Sequence, residues 1–336
     1  MSQERRKKVL SGIQPTGKLH IGNYIGALSQ WAQNQDEFEN FFCVVDLHAL
    51  TIPENVNPQA LRQKTREVAG LCLAAGIDPQ KSTLFVQSEV SAHAELTWIF
   101  ECLTPLGWLY RMTQFKTKSE QQESVGSGLL QYPVLQASDI LLYEPDYVPV
   151  GEDQRQHIEL ARDIAMRFNH LFGEMFHLPE PMIRKTGGAR IMGLDNPEQK
   201  MSKSVGETKK GHSIGILDPP KEIRQAIMRA VTDTGNEVSF ERSSPGVKNL
   251  LALYQSLSGE APDAIEAKFQ GQGYGNLKKE VAEVVIAHLE PIRTRYEEIM
   301  GEPGYLDRVL EEGAAKARVT ANRVLNRAKE LAGLGH

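Results

Sequence analysis

The chain has 336 residues, of which 40% are hydrophobic and 24% charged, with a formal net charge of -5. That length predicts one large domain with a smaller one beside it and a sizeable buried core. The acidic total argues against indiscriminate nucleic-acid binding while leaving room for a local basic patch. No run of about eighteen apolar residues is present to span a bilayer. The basic start, Met1 to Lys8, passes into Val9-Leu10 and a glycine loop rather than a signal-peptide core, so a cytoplasmic protein with no membrane partner is expected. Cys43, Cys72 and Cys102 lie about thirty residues apart in apolar runs, which suits small buried hydrophobes better than a disulfide framework or a zinc site. No metal ligands of the protein's own are expected.

In chain order, short β-rich runs alternate with helical patterns over the first two hundred or so residues, as in a parallel sheet with crossover helices. Lys8 to Ser11, Phe41 to Asp46 and Thr83 to Gln87 are predicted strands, all too apolar to leave a face in water. After the first comes a glycine loop and then a helix with Ile21, Ile25, Leu28 and Ala32 on one face. Pro58 to Ala75 is a second amphipathic helix, stopped by Gly76. Tyr147 to Val150 reads as a further strand, followed by a helix from Gln154 to Asn169. Ligands in such sheets bind beyond the carboxyl ends of the strands, so the loops after Ser11, Asp46 and Val150 should line one crevice.

Lys185 to His212 is rich in Gly, Lys and Ser and weakly periodic, hence a long loop of the kind that usually carries function. Asp218-Pro219 offers an N-cap followed by proline, and helical periodicity runs from there to Leu331. The predicted fold is therefore α/β, a Rossmann-like doubly wound parallel sheet over residues 1–212 with a smaller all-helical domain over 213–336.

Gly12-Ile13-Gln14-Pro15-Thr16-Gly17-Lys18-Leu19 has the glycine and lysine spacing of a P-loop, but Leu19 stands where a hydroxyl must hold magnesium. His20-Ile21-Gly22-Asn23 comes next, at the start of the first crossover helix, where backbone N–H groups and the helix dipole attract phosphate. Gly22 permits close approach of a nucleotide, and His20 and Asn23 offer donors. In the long loop, Lys200-Met201-Ser202-Lys203-Ser204 puts two ammonium groups three residues apart on a serine-bearing segment suited to closing over a polyphosphate.

The pair resembles the signature motifs of class I aminoacyl-tRNA synthetases. Tyr132 to Tyr143, Val148 to Gln154, Gly188 to Met192, Met112 to Lys116 and Gly12 to Pro15 are similar to the tryptophanyl-tRNA synthetases of bacteria, and similar texture runs through almost the whole chain. The sequence departs from that pattern at Gln136, where methionine is frequent, and at Val205, where an acidic residue is.

The resemblance implies activation of L-tryptophan with ATP and Mg2+ and its transfer to tRNA(Trp), by a symmetric homodimer. It places Gln14, Pro15, Thr16, Gly22, Asn23, Gly151, Glu152, Asp153 and Ile191 at the nucleotide, with Asp153 at ribose hydroxyls. Lys200, Met201, Ser202, Lys203 and Ser204 close on its phosphates, with Lys116 and Lys118 as secondary contacts. Tyr132 and Gln154 hold the amino-acid end, and Asp139 meets the indole beside Ile140, Val148 and Val150. The chemistry agrees: an indole N–H only donates, so its pocket needs one acceptor in an otherwise apolar slot. The other reading of Asp139 is a partner for a nearby basic side chain. On the last helical segment Lys316, Arg323 and Arg327 share a face, either a solvated surface or a contact for the anticodon region of tRNA. A tyrosyl-tRNA synthetase and a catalytically idle tRNA-binding relative are the alternative functions.

Overall fold

A computed structural model of the chain describes residues 5–120, 122–182, 190–202, 205, 206, 209 and 211–335. Five strands, β1 (Lys8–Ile13), β2 (Glu39–Val44), β3 (Thr83–Val86), β4 (Tyr147–Pro149) and β5 (Glu180–Met182), form one parallel sheet in the order β3-β2-β1-β4-β5. The order reverses at β1, so the crevice beyond the carboxyl ends of β1 and β4 is the topological switch point. The first three strands and β4 are those expected. β5 is not foreseen: it is three residues long with Pro181 at its centre, and a proline gives the ladder no N–H.

The first crossover helix, α1, is irregular. It is α-helical over Ile21–Asn23, widens to a π-helix over Tyr24–Leu28 and closes as α-helix over Ser29–Gln33. Ile21, Ile25 and Leu28 are buried as the periodicity predicts, but the extra residue in the wide turn rotates Ala32 to a half-buried position. α2 (Pro58–Ala74) starts where Asn57 accepts the N–H groups of Gln59 and Ala60 at 3.0 Å, with proline in the first turn. Four helices lie between β3 and β4: α3 (Ala92–Leu103), α4 (Leu106–Tyr110), α5 (Thr113–Ser119) and α6 (Ser127–Leu141). α7 (Arg155–Phe172) then leads to β5. Between Arg190 and His212 the described residues hold only the bridge of Met192 with Lys200 and a helical turn at Val205 and Gly206, as expected of a long loop.

The rest of the described chain is helical: α8 (Pro220–Met228), α9 (Pro245–Ser258), α10 (Pro262–Phe269), α11 (Gly273–Gly301) and α12 (Tyr305–Leu331). Asp218 does not cap α8, whose first residue is Pro220. Its carboxylate instead accepts the Gly215 N–H at 2.7 Å and pairs with Lys18. Among the described residues no helix is long and apolar enough to cross a membrane. Cys43 and Cys72 are buried, as small hydrophobes should be, but Cys102 is exposed.

Alternate strand residues feed two cores. On one face Phe42, Val44, Leu84 and Val86 pack with Ile223, Leu250, Val281 and Leu289 of the helical half. On the other, Phe41, Cys43 and Phe85 pack with Phe100, Ile140 and Phe168. α12 joins both: Leu306 and Val309 lie in the first core, and Ala314, Ala317, Ala321 and Ala328 in the second. It crosses at the edge strand β3, where a Cβ on Gly313 would stand 1.8 Å from the Leu84 carbonyl oxygen. The helix thus covers a sheet edge that would otherwise be open.

Gly313→Ala should be destabilising despite alanine's advantage of about 1 kcal/mol within a helix. The obstacle is backbone, which cannot swing aside, so the overpacking cost belongs at or above the upper end of roughly 1–3 kcal/mol. A lower urea midpoint at unchanged slope is the expected result; an equal or higher midpoint would remove the close crossing.

Candidate active site

The loop after β1 carries Gly17 at φ +66, a left-handed conformation that favours glycine. Pro15 is buried, while Gln14 and Thr16 are exposed. At the start of α1 the His20 N–H donates to Asn23 Oδ1 at 3.0 Å, and the Asn23 N–H donates to the His20 carbonyl at 2.8 Å. The Asn23 side chain thereby closes the helix start and leaves its amide nitrogen as the donor for a ligand. A Cβ on Gly22 would come within 3.0 Å of His20 Nδ1 and 3.6 Å of Ile191 Cβ. The glycine keeps open the gap between His20 and Ile191, which are both buried.

The lysine-serine motif leaves a small hairpin. The Met201 N–H donates to the Ile191 carbonyl at 3.1 Å and the Gly193 N–H to the Gln199 carbonyl at 2.8 Å, with Met201 buried beneath and Lys200 exposed. Ser202 is half-buried; Lys203 and Ser204 lie outside the described residues. Asp195 ties the turn to the far side of the loop, with His212 Nδ1 2.6 Å from its Oδ1 and Lys209 Nζ 2.5 Å from its Oδ2. Two further backbone bonds stitch this region to the first motif: the Ile21 N–H to the Ile214 carbonyl at 2.8 Å, and the Ile216 N–H to the Leu19 carbonyl at 3.0 Å.

Asp139, on α6, is buried among donors. Its Oδ2 accepts from His48 Nε2 at 2.7 Å; its Oδ1 accepts from Gln87 Nε2 at 2.7 Å and His93 Nδ1 at 2.6 Å. Burial pushes the carboxyl up, but the His48 charge and the bonds from both histidines outweigh it and hold it well below the usual carboxylate range. Ile140 and Val148 are buried and Val150 half-buried. One turn before Asp139 on α6, Gln136 Nε2 donates to Gln154 Oε1 at 3.5 Å, and Gln154 Nε2 donates to Asp153 Oδ2 at 3.2 Å. This marginal bond gives Gln136 a polar role that methionine lacks.

The Tyr132 hydroxyl lies 2.9 Å from His157 Nε2 and 3.2 Å from Gln114 Oε1, and burial pushes its pKa up to about 12. Burial, helped by the nearby Lys118 charge, pushes His157 down to about 4, so the imidazole is neutral at pH 7. Lys118 stands 5.0 Å over the Tyr132 ring, and burial lowers its pKa. It therefore sits at the Tyr132 end of the crevice, while Lys116 is exposed on α5. Gly151, Glu152 and Asp153 are exposed, and a Cβ on Gly151 would meet Asp153 Oδ1 at 2.7 Å.

The basic stripe on α12 is engaged within the chain. Lys316 donates to the Pro79 carbonyl at 3.4 Å, and Arg323 and Arg327 pair with Glu144 and Glu330 at 2.5 and 3.1 Å. Sequence reasoning missed His48, Gln87, His93, His157, Asp195 and His212. The first two had a signal: each stands just past the carboxyl end of an apolar strand, where ligand sites form.

Residues 1–290 match the family described as tRNA synthetases class I (W and Y). The tryptophan–tRNA ligase of Gloeobacter violaceus is 53% identical over 329 residues, covering 98% of this chain and 96% of the relative. That of Wolinella succinogenes is 52% identical over 330 residues, covering 98% and 99%. Among solved structures, the tryptophanyl-tRNA synthetase of Mycoplasma pneumoniae superposes with a TM-score of 0.89 at 36% identity, covering 98% of this chain and 99% of that one. The Campylobacter jejuni enzyme, complexed with ADP and tryptophan, gives 0.84 at 36%, covering 97% and 100%. A tyrosyl-tRNA synthetase from Aeropyrum pernix shares the fold, at a TM-score of 0.65 and 23% identity. With this likeness over nearly its full length, the chain belongs to the class I tRNA synthetases, in the bacterial tryptophanyl branch.

Proposed function

We propose that the chain activates L-tryptophan with ATP and transfers it to tRNA(Trp). The observation that carries this reading is a buried, ionised acceptor, Asp139, held by donors from the turns after β2 and β3 and from the start of α3. The carboxylate of tryptophan attacks the α-phosphorus of ATP and diphosphate leaves; the terminal ribose hydroxyl of the tRNA then attacks the acyl carbon and AMP leaves. The substrate is its own nucleophile, so the protein contributes positioning and stabilisation of charge.

In this reading Asp139 accepts the indole N–H, Tyr132 and Gln154 hold the amino-acid end, and Asp153 meets the ribose. Gln14, Thr16, Gly22, Asn23, Gly151 and Ile191 line the nucleotide, and Lys200 and Lys203 take the phosphates, with Lys116 and Lys118 behind them. Magnesium arrives as the ATP complex. Among the described residues no group of three His, Cys, Asp or Glu is arranged to hold a metal; magnesium bound to ATP would offset phosphate charge beside Lys200 and Lys203. The cytoplasm is the compartment that fits this work.

Amino-acid-dependent ATP–diphosphate exchange, run with all twenty amino acids and no tRNA, tests the reading. Exchange with tryptophan alone supports it; exchange with tyrosine would overturn the pocket assignment. In the same assay Lys203→Ala should slow activation by well over about tenfold with tryptophan affinity little changed, because a contact made only in the transition state appears in rate. Equal losses in rate and affinity would remove Lys203 from that role.

The stripe of Lys316, Arg323 and Arg327 is proposed to meet the tRNA by exchanging partners. All three are exposed, and exposed ion pairs are worth only about 0–1 kcal/mol, which phosphates can outbid. Replacing the three together should weaken tRNA binding and flatten its dependence on salt by about two to three charges. An unchanged slope would exclude the stripe.

The homodimer is proposed to form through the groove of about 360 Å³ between α3, α6 and the turn after β2, where Trp98 is 67% and Leu50 50% exposed. Trp98→Glu should shift sedimentation toward the monomer; an unshifted dimer would move the interface elsewhere.

A further inference from the structure

We propose that Gln87 and His93 are positioning residues for amino-acid selection: together they occupy Asp139 Oδ1 and leave an unclaimed lone pair of Oδ2 for the ligand's N–H. The inference rests on the reading of Asp139 as the indole acceptor. A carboxylate has about four lone-pair sites, two on each oxygen. On Oδ1 both are taken, by Gln87 Nε2 at 2.7 Å and His93 Nδ1 at 2.6 Å. On Oδ2 one is taken, by His48 Nε2 at 2.7 Å. The carboxylate cannot turn without breaking a bond from a buried donor.

Each donor is itself oriented from behind. The Leu47 N–H donates to Gln87 Oε1 at 3.0 Å, so the amide cannot flip and its nitrogen must face Asp139. The Tyr143 hydroxyl lies 2.8 Å from His93 Nε2. With Nδ1–H given to the carboxylate, Nε2 is the acceptor for the Tyr143 O–H, which selects one tautomer of the ring. Gln87, His93 and Tyr143 are 0% exposed, so none of these groups has water as a substitute partner. His48 stands between the two tasks: its ring sits edge-on to Tyr132, with centroids 6.2 Å apart, while its nitrogen shares Oδ2 with the ligand.

A site built around one hydrogen bond discriminates against analogues lacking that bond only while its acceptor is held still. Loosening Oδ1 should therefore harm tryptophan and spare an analogue in which sulfur replaces the indole N–H, 3-benzothienylalanine. The experiment is diphosphate exchange with both amino acids on the wild type, Gln87→Met and Tyr143→Phe. Each substitution nearly keeps shape while removing a donor.

The expected result is a KM for tryptophan raised about tenfold in Gln87→Met, the scale on which outer partners of a site act. Tyr143→Phe should show a smaller rise. In both, kcat and the KM for ATP stay within about twofold, and the preference for tryptophan over the sulfur analogue shrinks by the same factor as the tryptophan KM rises. A merely structural role would weaken both amino acids alike and leave that preference intact, which would overturn the proposal. A wild type with no preference for tryptophan over the sulfur analogue would overturn the underlying role of Asp139, and the proposal with it.

Discussion

The backbone pairing of Leu19 to Ile21 with Ile214 to Ile216 is the constraint on which the site depends. It places the end of the long loop against the first turn of α1, whose Ile21 N–H is spent on the Ile214 carbonyl at 2.8 Å. Without it, two stretches almost two hundred residues apart would have no reason to lie side by side. Small residues make the approach possible. Gly22 leaves the gap between His20 and Ile191, and Gly193 leaves room for the ring of His212, which a Cβ would meet at 2.4 Å. The ring in turn holds Asp195, so the hairpin that presents Lys200 is fixed at its turn as well as at its stem.

A second constraint is electrostatic. A buried carboxylate costs several kcal/mol unless its oxygens are filled with donors, and removing one partner of such a group typically costs about 3–5 kcal/mol. The chain meets that cost for Asp139 with side chains drawn from the turns after β2 and β3 and from the start of α3. The carboxylate therefore fastens the turns after β2 and β3 and the start of α3 to α6 through one set of bonds. Those bonds explain how the carboxylate can remain ionised although it is buried.

What was legible in the sequence was whatever depends on neighbours along the chain. The continuous apolar runs of β1, β2 and β3, the proline start of α2 and the two signature motifs are local patterns. So is the likeness that picked out Asp139 and Tyr132. The partners of Asp139 were not legible, because they stand 91, 52 and 46 residues away and become neighbours only through the sheet order. Local pattern also hides β5, whose central proline reads as loop, and the π-helical turn of α1, since a hydrophobic stripe reports the average period rather than one inserted residue. Of the two readings offered for Asp139, the structure shows the partner of basic side chains, His48 and His93.

α12 shows the same limit on a larger scale. Its periodicity predicts a helix with an apolar face but not which surface that face covers. It crosses the edge of β3 and packs into the core on the far side of the sheet. The sequence did hold a clue, in Gly313 with Ala314, Ala317, Ala321 and Ala328 after it, a run of small side chains that lets a helix approach another backbone closely. The consequence concerns how the two halves are joined. Helices α8, α9 and α11 share one core with the sheet, and α12 shares both, so a displacement of the helical half must repack the layer that carries β2 and β3. Packed interiors resist such gradual deformation. The geometry at Asp139, set by residues at the ends of those two strands, is therefore tied mechanically to the helices beyond the long loop.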